Sequence, residues 1–181
     1  MQEESRKQDI FIRELRPEDV TASYVQWMND PVVARFLETP AGNHTESSVR
    51  SFVSQMFDSP SDILFGIFLN EEEPRHIGNI KIGGIDRLNH NAHVGFLVGD
   101  RGQWGKGYAT KAIELATEHA FQQLTLNKVW AGAYSSNTGS RKALLKAGWT
   151  EVGALTRHVL IDGEWQDKVF LERLNEDFPT S

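Results

Sequence analysis

Gly99-Asp100-Arg101-Gly102-Gln103-Trp104-Gly105-Lys106-Gly107-Tyr108-Ala109-Thr110 is the stretch on which the reading of this chain turns. It follows a segment with strand character, residues 92–98. It leads into an amphipathic segment, residues 107–123, where Ala112, Ile113, Ala116, Ala120 and Phe121 fall on one helical face. Glycines at such a junction let the backbone turn tightly and leave its N–H groups bare. The helix that follows adds unpaired donors and the positive end of its dipole, which together suit a phosphate or pyrophosphate. Three phosphate motifs compete for the stretch. A Walker A loop has the right gap from Gly102 to Gly107, but Tyr108 stands where its lysine belongs. A dinucleotide fingerprint needs a third small residue where Thr110 stands, and an acidic residue at the end of the next strand, where residues 131–134 offer none. An acyl-CoA pyrophosphate loop uses Gly105, Gly107 and Ala109 as its small residues. A glycine-rich helix start without any ligand is the plain alternative.

Charge is distributed in support of an anion. The chain of 181 residues carries a net charge of −6, yet the span from Arg101 to Lys146 holds seven basic and two acidic side chains. A compact basic island in an acidic protein fits a small polyanionic ligand, while the overall balance argues against nonspecific nucleic-acid binding. The acidic remainder mildly favours a cationic amine substrate.

Working outward, residues 10–15 alternate as a strand, with Pro17 at a helix start. Residues 18–28 and 31–37 read as short helices. Thr45 is an N-cap for residues 46–57, where Val49, Phe52, Val53, Met56 and Phe57 keep helical spacing. Residues 63–69, 77–85 and 92–98 read as an antiparallel meander, residues 129–134 as a strand, and residues 140–147 as a helix that starts at Ser140 and stops at Gly148. Asp162-Gly163 places a tight hairpin between residues 149–161 and 165–174. The expectation is one mixed α/β domain over residues 10–176, with a mostly antiparallel sheet flanked by helices and a flexible tail at residues 1–9. Cysteine is absent, which excludes disulfides, thiolate metal sites and cysteine nucleophiles. No metal site is expected. With no apolar run long enough for a membrane span and a charged start unlike a signal peptide, the expected compartment is the cytoplasm.

Trp104-Gly105-Lys106-Gly107-Tyr108-Ala109-Thr110 resembles the cofactor motif of the GNAT superfamily of N-acetyltransferases, most closely its ribosomal-protein N-terminal acetyltransferase branch and the spermidine and amino-sugar relatives. Ser136-Asn137-Thr138-Gly139-Ser140-Arg141-Lys142-Ala143-Leu144-Leu145-Lys146-Ala147-Gly148-Trp149 resembles a second family segment. Ile12-Arg13-Glu14-Leu15-Arg16-Pro17-Glu18-Asp19, Trp27-Met28-Asn29-Asp30-Pro31 and Ile77-Gly78-Asn79-Ile80 fit in order. The resemblance implies the GNAT fold, acetyl-CoA as cofactor, and direct attack by a primary amine in a ternary complex. The amine belongs to a small molecule, such as a polyamine or amino sugar, or to a protein N-terminus. It implies that Phe96, Leu97 and Val98 pair with the pantetheine arm where two strands splay apart. The N–H groups of Gly105, Lys106, Gly107, Tyr108, Ala109 and Thr110 would meet the pyrophosphate, with Trp104 beside them in the cofactor motif and Arg101, Lys106 or Arg141 at the outer phosphates. Asn137 would bind the cofactor arm.

Two departures stand out. Relatives often carry a glutamate base where this chain has His93, whose ordinary pKa near neutrality suits the same task. Many relatives carry a tyrosine seven residues after the motif asparagine, where this chain has Leu144; Ser140 matches the serine proposed as thiol partner in the ribosomal branch and reads equally as a helix N-cap. These departures leave a second expectation open, a catalytically idle acyl-CoA-binding regulatory module. Homodimers are expected by family analogy alone.

Overall fold

The computed structural model describes residues 9–38 and 41–179. The tail expected at residues 1–9 therefore lies outside the described residues except for Asp9.

Seven strands form one sheet: β1 (Ile10–Glu14), β2 (Ile63–Leu69), β3 (Arg75–Asp86), β4 (Asn91–Val98), β5 (Lys128–Tyr134), β6 (Thr150–Ile161) and β7 (Glu164–Leu174), in the spatial order β1-β2-β3-β4-β5-β7-β6. Every neighbouring pair is antiparallel except β4 with β5. Helices α1 (Ala22–Asn29), α2 (Pro31–Ala34) and α3 (Glu46–Phe57) follow β1, while α4 (Tyr108–Gln122) and α5 (Thr138–Lys146) bracket β5.

The sequence pattern explains the layering. In β2 the run Ile-Leu-Phe-Gly-Ile-Phe-Leu is buried almost throughout, because both faces of this strand are covered. Phe65, Ile67 and Leu69 join Ile80, Ile82, Ile113 and Ala116 in the larger core under α4. Leu64 and Phe68 point to the other face, into a second core with Leu15, Tyr24, Trp27, Val49 and Val53 from the α1–α3 side. The period of two along β2 thus meets the helical period of α4 on one side and of α3 on the other. Thr45 caps α3 as its residue type predicts, its hydroxyl accepting the Ser48 N–H at 3.1 Å. Val49 and Val53 are buried, whereas Phe52 and Phe57 are 43% and 42% exposed, so only part of that apolar stripe is core.

Three local expectations are corrected. Residues 18–28 are not one helix: a 3-10 turn, Pro17–Asp19, ends at an extended Val20, and α1 begins only after Thr21, which caps it. The chain bends there because Asp19 is engaged backward, accepting from Arg13 at 2.7 Å and from the Arg16 N–H at 2.8 Å. The segment read as residues 31–37 is helical only over Pro31–Ala34. Helix α5 begins at Thr138, not at Ser140: Asn137 is the cap, its Oδ1 accepting the Ser140 N–H at 3.2 Å, so an amide side chain does what was expected of the serine hydroxyl. The Asp162-Gly163 hairpin is as expected, with φ of 52° and 82°, the left-handed pair that a two-residue turn with the right twist requires.

Candidate active site

The feature that positions the site is the single parallel pairing. Strands β4 and β5 run together only over Asn91↔Lys128, Ala92↔Val129 and His93↔Trp130. Beyond that point Val94–Val98 of β4 and Ala131–Tyr134 of β5 have no ladder with each other, although each stays paired on its outer edge, to β3 and β7. The sheet opens as a wedge at its centre. Two cavities fill the wedge, of about 590 Å³ on the side of the glycine turn and about 460 Å³ on the side of His93. Phe36, Leu37, Phe96, Leu97, Asn137 and Ser140 line both, so the two are halves of one cleft.

Backbone builds the larger half. Gly105 and Gly107 have φ of 77° and 86°, a left-handed conformation that side-chain-bearing residues rarely adopt, and a Cβ at either would enter open space. Gly107 is the N-cap of α4 and has no side chain to satisfy the helix start. The first backbone bond of α4 runs from the Lys111 N–H to the Gly107 carbonyl at 3.1 Å. None of the N–H groups from Gly105 through Thr110 meets an acceptor among the described residues. Six consecutive free donors at a helix N-terminus form an anion cradle, with the dipole adding to it. Trp104 closes the turn, its indole N–H donating to the Val98 carbonyl at 2.7 Å while the ring stays 45% exposed along the cavity. On the opposite wall, Lys142 and Lys146 from α5 add positive charge.

The residues named from sequence are brought together with three exceptions, the first being Arg101, which pairs with Asp30 at 3.5 Å and lines neither cavity. Phe96, Leu97, Val98, Trp104, Gly105, Gly107, Tyr108, Ala109, Thr110, Asn137 and Ser140 all line the larger cavity. Lys106 turns away, its Nζ donating to Gln103 at 2.9 Å. Arg141 is held by Glu151, with Nε and Nη2 both on Oε1 at 3.0 and 2.7 Å, and lies outside the lining of either cavity. Lys142 and Lys146, one residue and one further turn along α5, take the facing position instead. A charge count marks them as part of the basic island but cannot say which face they occupy.

Side chains build the smaller half. His93 projects from the end of the parallel ladder, half-buried, its ring 5.6 Å from that of Trp130. It makes no hydrogen bond to any described residue. Desolvation on burial, reinforced by the nearby Lys81 ammonium, pushes its pKa below the ordinary histidine value, against the opposing influence of Asp62 and Glu38. Burial and that ammonium both favour the neutral imidazole, whose lone pair can accept a proton. Tyr134 lies along the same cavity at the far end of β5, and Leu144 contributes a buried apolar wall where a tyrosine was absent. Ser140 is at the junction, its hydroxyl bonded to no described residue, and Asn137 spends its Oδ1 on the helix cap and keeps its amide N–H groups free. The roof comes from Phe36, Leu37 and Glu38, beyond α2, a segment fixed to the hairpin tip through Arg35 and Asp162 at 2.7 Å. No periodic signal marks that roof; it is assembled by contacts more than a hundred residues apart.

Can this cleft take an acyl-CoA? The free donors at Gly105–Thr110 fit a pyrophosphate, the facing lysines fit further phosphate, and the unpaired inner edge of β4 offers backbone partners to an amide-bearing arm. The geometry fits. The known proteins to which the chain is similar agree. A family model described as an acetyltransferase (GNAT) domain matches residues 9–150. The chain is 36% identical over 114 residues to a probable N-acetyltransferase, YjcK, of Bacillus subtilis, a match spanning 62% of this chain and 62% of that protein. It is 24% identical over 127 residues to the ribosomal protein uS5 alanine N-acetyltransferase of Escherichia coli, across 70% of this chain and 64% of the relative. In fold it resembles spermidine N-acetyltransferase of Vibrio cholerae, solved with CoA and spermine, at a TM-score of 0.84 and 17% identity over 95% of this chain and 99% of that one. With that family model covering most of its length, the chain belongs to the GNAT acetyltransferase family.

Proposed function

We propose that this protein moves the acetyl group of acetyl-CoA to a primary amine, with both substrates held in the one cleft. The observation that carries this reading is the junction itself: a cavity with six free backbone donors shares its lining with a cavity holding a histidine that bonds to no described residue. Acetyl-CoA would supply an acyl group activated as a thioester. The cradle from Gly105 to Thr110 would hold its pyrophosphate, with Lys142 and Lys146 opposite, and β4 residues Phe96 to Val98 would pair with its arm. A backbone N–H of that segment would donate to the thioester oxygen as negative charge develops there.

His93 accepts the proton that the attacking amine must lose, directly or through a water. As the C–N bond forms and the C–S bond breaks, the departing thiolate needs a proton; Ser140 at the junction would give it and regain one, through solvent, from the protonated His93. The chain has no cysteine, so no thiol of its own can carry the acyl group. Among the described residues no helix is long and apolar enough to cross a membrane. A cytoplasmic setting, where acetyl-CoA and amines are both at hand, is the reading we adopt. Relatives named for a ribosomal protein alanine and for spermidine support an amine acceptor in general.

Thermal unfolding with acetyl-CoA, ATP and NAD tests the cofactor, followed by CoA release in the presence of amines. A ligand at ~100 times its Kd that binds only the native state stabilises by ~2.7 kcal/mol. A shift with acetyl-CoA alone, then amine-dependent CoA release, is the expected result. A shift without CoA release from any amine would support the idle binding module instead.

A further inference from the structure

Granting the acetyl-transfer reading, charge around His93 decides which amine can enter. The charged side chains along that half of the cleft are Glu38, Lys81 and Lys168, beside His93 itself. Glu38 is the single carboxylate among the described lining residues, and its side chain is 80% exposed. It meets Lys168 Nζ at 3.2 Å, but Lys168 is only 20% exposed. An ion pair whose carboxylate stands in water at the rim contributes little.

The ammonium of Lys168, by contrast, is fixed from within. Its stem lies so close over Gly132 that a Cβ there would come within 2.5 Å of Cε, and its Nζ is 5.9 Å from the centre of the Tyr134 ring. Lys81 Nζ is 3.4 Å from Asp62 Oδ1 and donates no hydrogen bond to any described residue. That carboxylate already accepts from the hydroxyls of Ser59 and Ser61, at 2.9 and 3.2 Å. Each ammonium offers three donors, and most of these six are unspent.

We propose that the acceptor is a primary amine that also carries an anionic group, a carboxylate or a phosphate, held by Lys168 and Lys81, and that polycationic amines are selected against. Two further features fit. Positive neighbours favour the neutral form of the incoming amine, which is the form that attacks. The walls of Phe36, Phe52 and Trp130 give the body of such a molecule an apolar surface.

The test uses matched acceptors: phenylalanine against phenylalaninamide, glucosamine 6-phosphate against glucosamine, and spermidine. Each is measured by CoA release from acetyl-CoA and by calorimetric binding to the protein saturated with CoA. The anion-bearing member of one pair should exceed its partner without the anion about tenfold, the size of one charge-assisted hydrogen bond, and the pair that responds identifies carboxylate or phosphate. Spermidine should be the weakest. Lys168→Met, which keeps the stem over Gly132, should bring the responsive pair to near equality, and Lys168→Arg should restore the preference. Equal or better use of the partners without the anion, or spermidine as the best acceptor, would overturn the anion-bearing class and leave acetyl transfer standing. No CoA release from any of the five amines would overturn both.

Discussion

The two halves of the cleft are made of different material. The half we assign to the cofactor is backbone: left-handed glycines, unpaired N–H groups and a helix end, all within the span Gly105 to Thr110. The acceptor half is side chains: His93 on β4, Trp130 on β5, Lys168 on β7, Lys81 on β3 and Glu38 beyond α2. A backbone cradle recognises what every acyl-CoA shares. A side-chain pocket can be rewritten one residue at a time without disturbing the fold. The first is expected to tolerate almost nothing at its glycines, and the second to change rate and specificity while the cofactor still binds.

The sharpest way to break this contrast is Gly107→Glu. It places a side chain at φ 86° and a negative charge in the anion cradle, and acetyl-CoA affinity should fall by roughly a hundredfold or more. Calorimetry checks this, and unchanged affinity would detach the cradle from the cofactor. Next is His93→Ala, which should lower kcat by about 10²–10⁴ while acetyl-CoA binds as before. In the parent, kcat/KM should rise with pH through a midpoint below the ordinary histidine value near 6.5, because burial lowers this pKa and the neutral form would be the working base. A mutant with the parent's profile would remove His93 from the chemistry.

The lysines sharpen the comparison on the cofactor side. Lys142→Glu with Lys146→Glu should weaken acetyl-CoA about tenfold and in a salt-dependent way. Arg141→Ala should do less to binding, since Glu151 already holds that guanidinium. The opposite ranking would move the phosphate contact to Arg141.

A smaller effect concerns the packing that supports the wedge. A Cβ on Gly99 would fall 2.1 Å from the Trp27 ring, so Gly99→Ala should cost about 1–3 kcal/mol by overpacking, read as a lower unfolding midpoint. The mildest is the acid response of the same region. His76 is packed among Tyr24, Trp27 and Phe68, and its Nδ1 is buried without a partner. Burial holds its pKa below the ordinary value despite hydrogen bonds to Asn79 and Gly78. Below pH 6.5 the unfolded chain therefore takes a proton that the native chain does not, and stability should fall from pH 7 toward pH 5. His76→Gln should flatten that slope in thermal unfolding.

The strand and helix order could be read from the residues because each element announces itself locally. Thr45 caps α3, Asp162-Gly163 makes a turn that few other pairs can make, and the apolar runs of β2 and α4 carry their own periods. The cradle was equally legible, since glycine at positive φ before an amphipathic helix is a short-range constraint. The helix boundaries near Asp19 and Ser140 escaped, because which side chain captures a free N–H depends on the path of the chain a few residues away.

What the sequence by itself determined is therefore the mixed α/β fold, the family and the glycine turn before α4: backbone conformation and periodicity act over a few residues. Only the tertiary structure decided where β4 and β5 part, which lysines of α5 face the cradle, and which charges surround His93. Those depend on contacts between residues such as Glu38 and Lys168, brought to 3.2 Å across more than a hundred positions of chain, where no local pattern records them.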